Sequence, residues 1–134
     1  WDLVTFDPPF VTFGSHEKYG DDSRDLAHAK DLDAYLCKME TCLKNLKRLV
    51  KPSSFSEKIF HPIVIKVGSG RHTKHGLIDL ATEIEIIARR LNLIIHDKVI
   101  NVLDSQWAMF NISRCIDNRY SVKIHETNIV MVKY

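Results

Sequence analysis

Asp7-Pro8-Pro9-Phe10 sets a carboxylate, two backbone nitrogens without a hydrogen and an aromatic ring in four consecutive positions. An amino group on a conjugated ring is a poor nucleophile, because its lone pair is delocalised into the ring. A catalyst activates such a nitrogen by drawing it toward tetrahedral geometry and aligning it with an electrophile. Two acceptors set against the two amine hydrogens do this, and the Asp7 carboxylate with the Pro8 backbone carbonyl supplies such a pair. Pro9 stiffens the turn. Phe10 offers a face on which a base brought out of its helix can stack. The plainer reading of the same four residues is a strand-ending turn with Phe10 packed in the core.

Other residues offer contacts rather than reaction chemistry. Arg71, His72, Lys74 and His75 crowd one segment and form the better phosphate candidate of the chain, although a solvated loop has the same composition. His72 and His75 lack further ligands at a usable spacing, so no metal site is expected. Trp107, Phe110, Arg114, Arg119 and Tyr120 mix rings with cations, a composition suited to stacking and phosphate contact or to a plug over a sheet end. His125-Glu126 reads as a structural pair.

Positioning these residues falls to elements legible in the apolar pattern. Asp2 to Phe6 is a short apolar run ended by the two prolines, so it reads as a buried strand feeding a rigid turn. Val11 to Lys30 is polar, with no sustained period, and reads as a functional or mobile loop. Asp31 caps a predicted helix whose stripe is Leu32, Tyr35, Leu36, Met39, Leu43, Leu46 and Val50, stopped by Pro52. Ile63 to Val67 is a β-branched central strand. A second helix is expected from Gly76 to Leu91, then strands from Leu93 to Leu103 and from Asn128 to Tyr134. Strands alternating with amphipathic helices imply an α/β domain with a mainly parallel sheet and helices on its faces, closed by an antiparallel C-terminal hairpin.

The 134 residues, 45% hydrophobic and 27% charged, suit one compact domain. Such a chain is short for an enzyme holding both a large cofactor and a macromolecule. With Trp1 rather than Met at its start and a strand pattern almost at once, it reads as a fragment, or as a processed or incompletely sequenced product. No apolar run approaches the roughly 18 residues needed to span a bilayer, and no signal-peptide layout is present, so an intracellular location, cytoplasmic or nucleoid, and no membrane partner are expected. Cys37, Cys42 and Cys115 lack C-x-x-C spacing and are expected to be reduced core thiols. A net charge of +2 does not announce nucleic acid by itself. Lys44, Lys47, Arg48 and Lys51, at the end of the first helix, suit its dipole as well as they suit phosphate.

With these segments in place, the chain resembles the S-adenosylmethionine-dependent amino-methyltransferases of DNA and RNA. Their signature is [D/N/S]-P-P-[Y/F/W] after an apolar strand, and here it stands as LVTFDPPF. LKRLVKP, PIVIKVG and HETNIVMVKY resemble later landmarks of the same family, so the likeness spans nearly the whole chain. The resemblance implies a partial Rossmann-like sheet and S-adenosylmethionine as cofactor. It implies Asp7, Pro8, Pro9 and Phe10 as catalytic residues, with Asp7 and Pro8 also bordering the cofactor. Asp at the first position implies adenine, or guanine in RNA, rather than cytosine, with DNA ahead of RNA. Tyr19, Arg24 and His28 follow the motif where such enzymes approach the flipped nucleotide, and they read equally as ordinary loop residues. Tyr19, Arg24, Arg71, Lys74, Arg114 and Arg119 are the expected nucleic-acid contacts.

The chain departs from the family in one respect. The F-x-G-x-G cofactor loop is not visible, which implies a half-enzyme completed by a second chain or segment, or a non-catalytic subunit that binds nucleic acid or a partner. A rival placement makes Gly68-Ser69-Gly70 the cofactor loop, between a strand and a helix, with Asp97 after the next strand as ribose ligand. A third possibility is an unrelated α/β domain.

Overall fold

The computed structural model describes residues 1–8, 26, 29–68, 70–72, 76–102 and 125–134. Its elements are β1 (Val4–Phe6), α1 (Leu32–Leu49), β2 (Pro62–Val67), β3 (Gly70–His72), β4 (Gly76–Ile78), α2 (Leu80–Arg90), β5 (Ile94–Val102) and β6 (His125–Val132). Four strands form one sheet in the order β1-β2-β6-β5, and β3 pairs with β4 in a separate two-stranded sheet. β1 and β2 are parallel, while β6 runs antiparallel to both β2 and β5, so β6 alone is reversed. The expected pairing of the last two strands is present, with β6 inside the sheet and β5 on its edge.

α1 forms where the sequence places it. The Asp31 carboxylate accepts from the Ala34 amide at 2.8 Å, which satisfies one of the donors that a helix start leaves open. The stripe expected from the spacing is the buried face: Tyr35, Met39, Leu43 and Val50 are buried, and Leu32, Leu36 and Leu46 pack against them. Cys37 is a correction. It is exposed rather than in the core, because it lies two residues past Tyr35, off the stripe, while Cys42 is half-buried.

α2 begins at Leu80, later than the expected Gly76. The intervening residues belong to β4, whose Gly76 to Ile78 pair with His72 to Gly70. Leu77 and Ile78 suit either period, Gly is a poor helix former, and a partner strand is at hand. The helix ends at Arg90 with Leu91 as its C-cap, and the next residue, Asn92, has φ 54° and lets the Asn92 and Leu93 amides donate to the Arg89 and Ala88 carbonyls. That left-handed residue with its paired bonds is a Schellman closure, and buried Leu93 supplies the apolar contact that goes with it.

Both described helices cover the same face of the sheet. Ile63, Ile65 and Val67 of β2 alternate with less buried neighbours and join Ile129 and Met131 of β6, the α1 stripe and Ile84, Ile87 and Ala88 of α2 in one cluster. Val64, Lys66, Asn128 and Val130 therefore point to the opposite face. None of the described helices is long and apolar enough to cross a membrane.

Candidate functional site

Asp7 and Pro8 directly follow β1, at the end of the sheet where β1 and β2 finish. Pro8 is buried, whereas the Asp7 side chain is 61% exposed. A buried proline beside an exposed carboxylate fixes the backbone and leaves the acid accessible, as an acceptor of external hydrogens must be.

The sheet register brings two further charged groups to Asp7. Phe6 pairs with Ile65, so the next residues on the parallel strands, Asp7 and Lys66, stand side by side. Lys66 pairs with Asn128 on β6, and Glu126 lies two positions away on the same face. The Lys66 ammonium is 3.0 Å from Asp7 Oδ2 and 3.7 Å from Glu126 Oε2. The hydrogen bond to Asp7, then the charges of Asp7 and Glu126, hold the Lys66 pKa above its ordinary value. The three groups carry one net negative charge when Lys66 is protonated, and they come from three adjacent strands.

Sequence reasoning missed both additions. Lys66 is the one charged residue within the apolar run Ile63 to Val67, and Glu126 is the second residue of the closing strand β6. A lone charge inside a central-strand pattern was the available signal. His125-Glu126, expected to be merely structural, contributes Glu126 to the Asp7 cluster.

The other expected residues divide sharply. Pro9, Phe10, Tyr19, Arg24, His28, Lys74, Trp107, Phe110, Arg114, Arg119 and Tyr120 lie outside the described residues. Arg71 is on β3, opposite Leu77. Among the described residues no group of three or more His, Cys, Asp or Glu could hold a metal ion.

The cationic end of α1 is largely engaged within the chain. Lys44 pairs with Glu40 at 3.0 Å, Lys47 donates to the Leu91 carbonyl at 2.5 Å and Lys51 lies 2.8 Å from Asp2. The hydrogen bond and charge of Lys51 hold the Asp2 carboxyl below its usual range. These contacts favour the structural reading of that cluster over phosphate binding.

The rival cofactor loop does not have the expected setting. Between β2 and α2 stand β3 and β4, with Gly70 paired to Ile78, so no helix starts directly after Gly68-Ser69-Gly70. Asp97 lies inside β5 at a bulge, where its carboxylate accepts from the Lys98 amide at 2.7 Å. A groove of about 550 Å³ lined by Arg89, Asn92, Leu93, Ile94, Ile95 and Tyr134 opens at the opposite end of the sheet from Asp7. It is too far along the strands to share chemistry with Asp7.

No protein-family model and no curated protein matches the chain. Among solved structures it is similar to three crystal structures of a provisionally assigned DNA modification methylase from Thermus thermophilus. One has a TM-score of 0.64 at 19% identity, a selenomethionine derivative has 0.63 at 19%, and a complex with S-adenosyl-L-methionine has 0.60 at 21%. Each alignment covers 98% of this chain but only 45%, 44% and 46% of the respective Thermus chains. The chain thus spans less than half the length of that methylase. Its mixed α/β sheet and two helices have the fold of the corresponding part of a methyltransferase.

Proposed function

We propose that this chain is the catalytic half of an S-adenosylmethionine-dependent methyltransferase acting on an exocyclic amine of a nucleic-acid base, with adenine in DNA as its foremost substrate. The observation that carries the reading is the Asp7-Pro8 step. An exposed carboxylate and a buried proline follow a strand end in a chain with a methyltransferase fold. Asp7 and the Pro8 carbonyl accept the two amine hydrogens, which keeps the nitrogen lone pair out of the ring. Pro9 stiffens the turn and Phe10 stacks on the extruded base. Tyr19, Arg24, Arg71, Lys74, Arg114 and Arg119 contact the nucleic acid.

The described residues fit the cofactor in part. The net negative cluster of Asp7, Lys66 and Glu126 suits a cationic ligand, which supports a reading in which Asp7 and Pro8 border its methionine end. Nothing among the described residues cradles a nucleoside. When bound, the cofactor supplies a methyl group on a positively charged sulfur, and this chain holds the amine that receives it. In this reading residues 1–134 form a single domain-half, and a second chain or segment supplies the cofactor loop. Among the described residues no strand pairs with the outer edge of β1, which is where a further strand would add to the sheet.

That nothing among the described residues cradles a nucleoside favours one other reading, a non-catalytic subunit that binds nucleic acid or a partner. Transfer of labelled methyl groups to DNA and to RNA by the intact protein, compared with Asp7→Ala, separates the two. Transfer to adenine that falls by about 100-fold or more in the variant is expected, as for loss of a group that orients the reacting atom. Transfer untouched by the change sinks the assignment, as does nucleic-acid binding without transfer when the cofactor-loop half is supplied.

A further inference from the structure

We infer that Lys66 is a positioning residue, bridging Glu126 to Asp7 so that one carboxylate oxygen of Asp7 is pinned and the other is presented in a fixed direction. The inference rests on the proposed role of Asp7 as an amine acceptor. Its geometry comes from three strands. Asp7 follows β1, Lys66 sits one residue before the end of β2, and Glu126 is second in β6. The β1–β2 and β2–β6 registers place all three on the face turned away from the helices.

Exposure declines in order across the cluster. The Asp7 side chain is 61% exposed, Lys66 36% and Glu126 16%. The least exposed member is a carboxylate that lies 3.7 Å behind the ammonium, and the most exposed is the carboxylate 3.0 Å in front of it. Lysine carries a flexible four-carbon stem whose ordering costs side-chain entropy. Glu126 restrains that stem from within the sheet, so the ammonium can act as a fixed point for Asp7. Exposed ion pairs contribute little to folding stability, so the consequence of this one lies in orientation. A carboxylate tethered through Oδ2 loses rotation about its terminal bond, and Oδ1 then keeps one bearing toward an amine hydrogen.

The test uses the intact protein and three variants. Lys66→Met is expected to lower kcat by on the order of 10- to 100-fold while leaving KM for nucleic acid within about twofold, the pattern of misplaced reacting groups. Lys66→Arg, which keeps the charge and the reach, is expected to recover most of that loss. An unchanged kcat in Lys66→Met overturns the inference. So does a loss confined to KM, which marks Lys66 as a phosphate contact instead. A readout independent of turnover guards against failure of the functional reading itself. The Lys66 ammonium followed by NMR is expected to lose its proton at lower pH in Asp7→Asn than in the unaltered protein. A titration that does not move overturns the bridge even in a protein that methylates nothing.

Discussion

The Lys133 ammonium lies 2.6 Å from the carbonyl oxygen of Val50, and it reaches the Lys47 carbonyl at 2.9 Å as well. Val50 is the C-cap of α1, where the last carbonyls of a helix have no partner within it. A residue just past the end of the last strand therefore closes the first helix. Lys47 does the same for the second helix through the Leu91 carbonyl. In each case a cation meets the negative end of a helix dipole, so the charges stabilise packing between elements that are distant in sequence.

Lys133→Met is accordingly expected to destabilise the protein by about 1 to 3 kcal/mol, the range for hydrogen bonds made by a charged group. The urea midpoint measures this. Methionine keeps most of the apolar stem, so the loss isolates the two hydrogen bonds from packing. A midpoint equal to that of the unaltered protein would show that water replaces Lys133 without cost.

Asn92 offers a test of backbone conformation. Its φ of 54° lies in the left-handed region, which costs most residues about 1 to 2 kcal/mol and glycine very little. Asn92→Gly should leave stability unchanged or raise it slightly. Asn92→Ala should lower it by about 1 kcal/mol, since alanine lacks the short polar group that lets asparagine tolerate this conformation. Thermal denaturation of the two variants side by side decides the point; equal midpoints would remove the conformational explanation.

The two described cysteines should differ in reactivity. Cys37 is exposed, while Cys42 is half-buried and burial pushes its thiol pKa up. The thiolate is the reactive form, so at pH 8 a raised pKa and restricted access both slow Cys42. Limited iodoacetamide treatment followed by peptide mass spectrometry should find Cys37 modified first. Equal rates would contradict the packing of α1 against its neighbours.

What the sequence disclosed follows from the range of each signal. The stripe from Leu32 to Val50 and the β-branched run from Ile63 to Val67 are local periodicities, and both became the elements they predicted. The start of α2 was misplaced because Leu77 and Ile78 satisfy a helical and a strand pattern equally, and pairing with β3 decided between them. The position of β6 between β2 and β5 depends on contacts across the whole chain. The site divides in the same way. Asp7 and Pro8 stand out in the sequence as candidates because they belong to a pattern of four consecutive residues. Lys66 and Glu126 reach Asp7 only through strand register, which no local pattern encodes. The cationic end of α1 was ambiguous in sequence because helix capping and phosphate contact call for the same residues.

Asp7 and Ile65 stand almost level on neighbouring strands, yet they should respond in opposite ways to truncation. Ile65 is fully buried and packs in the cluster shared by the sheet and both helices. Ile65→Ala removes buried methyl groups and leaves a cavity, so about 2 to 5 kcal/mol of stability should be lost. Asp7 contributes an exposed carboxylate to an ion pair, and such pairs add little to stability. Asp7→Ala should therefore denature at the same urea concentration as the unaltered protein while losing methyl transfer. Measuring both variants by denaturation and by transfer distinguishes a reacting group from a folding group. If Asp7→Ala instead unfolds as readily as Ile65→Ala, its loss of transfer says nothing about chemistry, and the Asp7-Pro8 step reverts to a strand-ending turn.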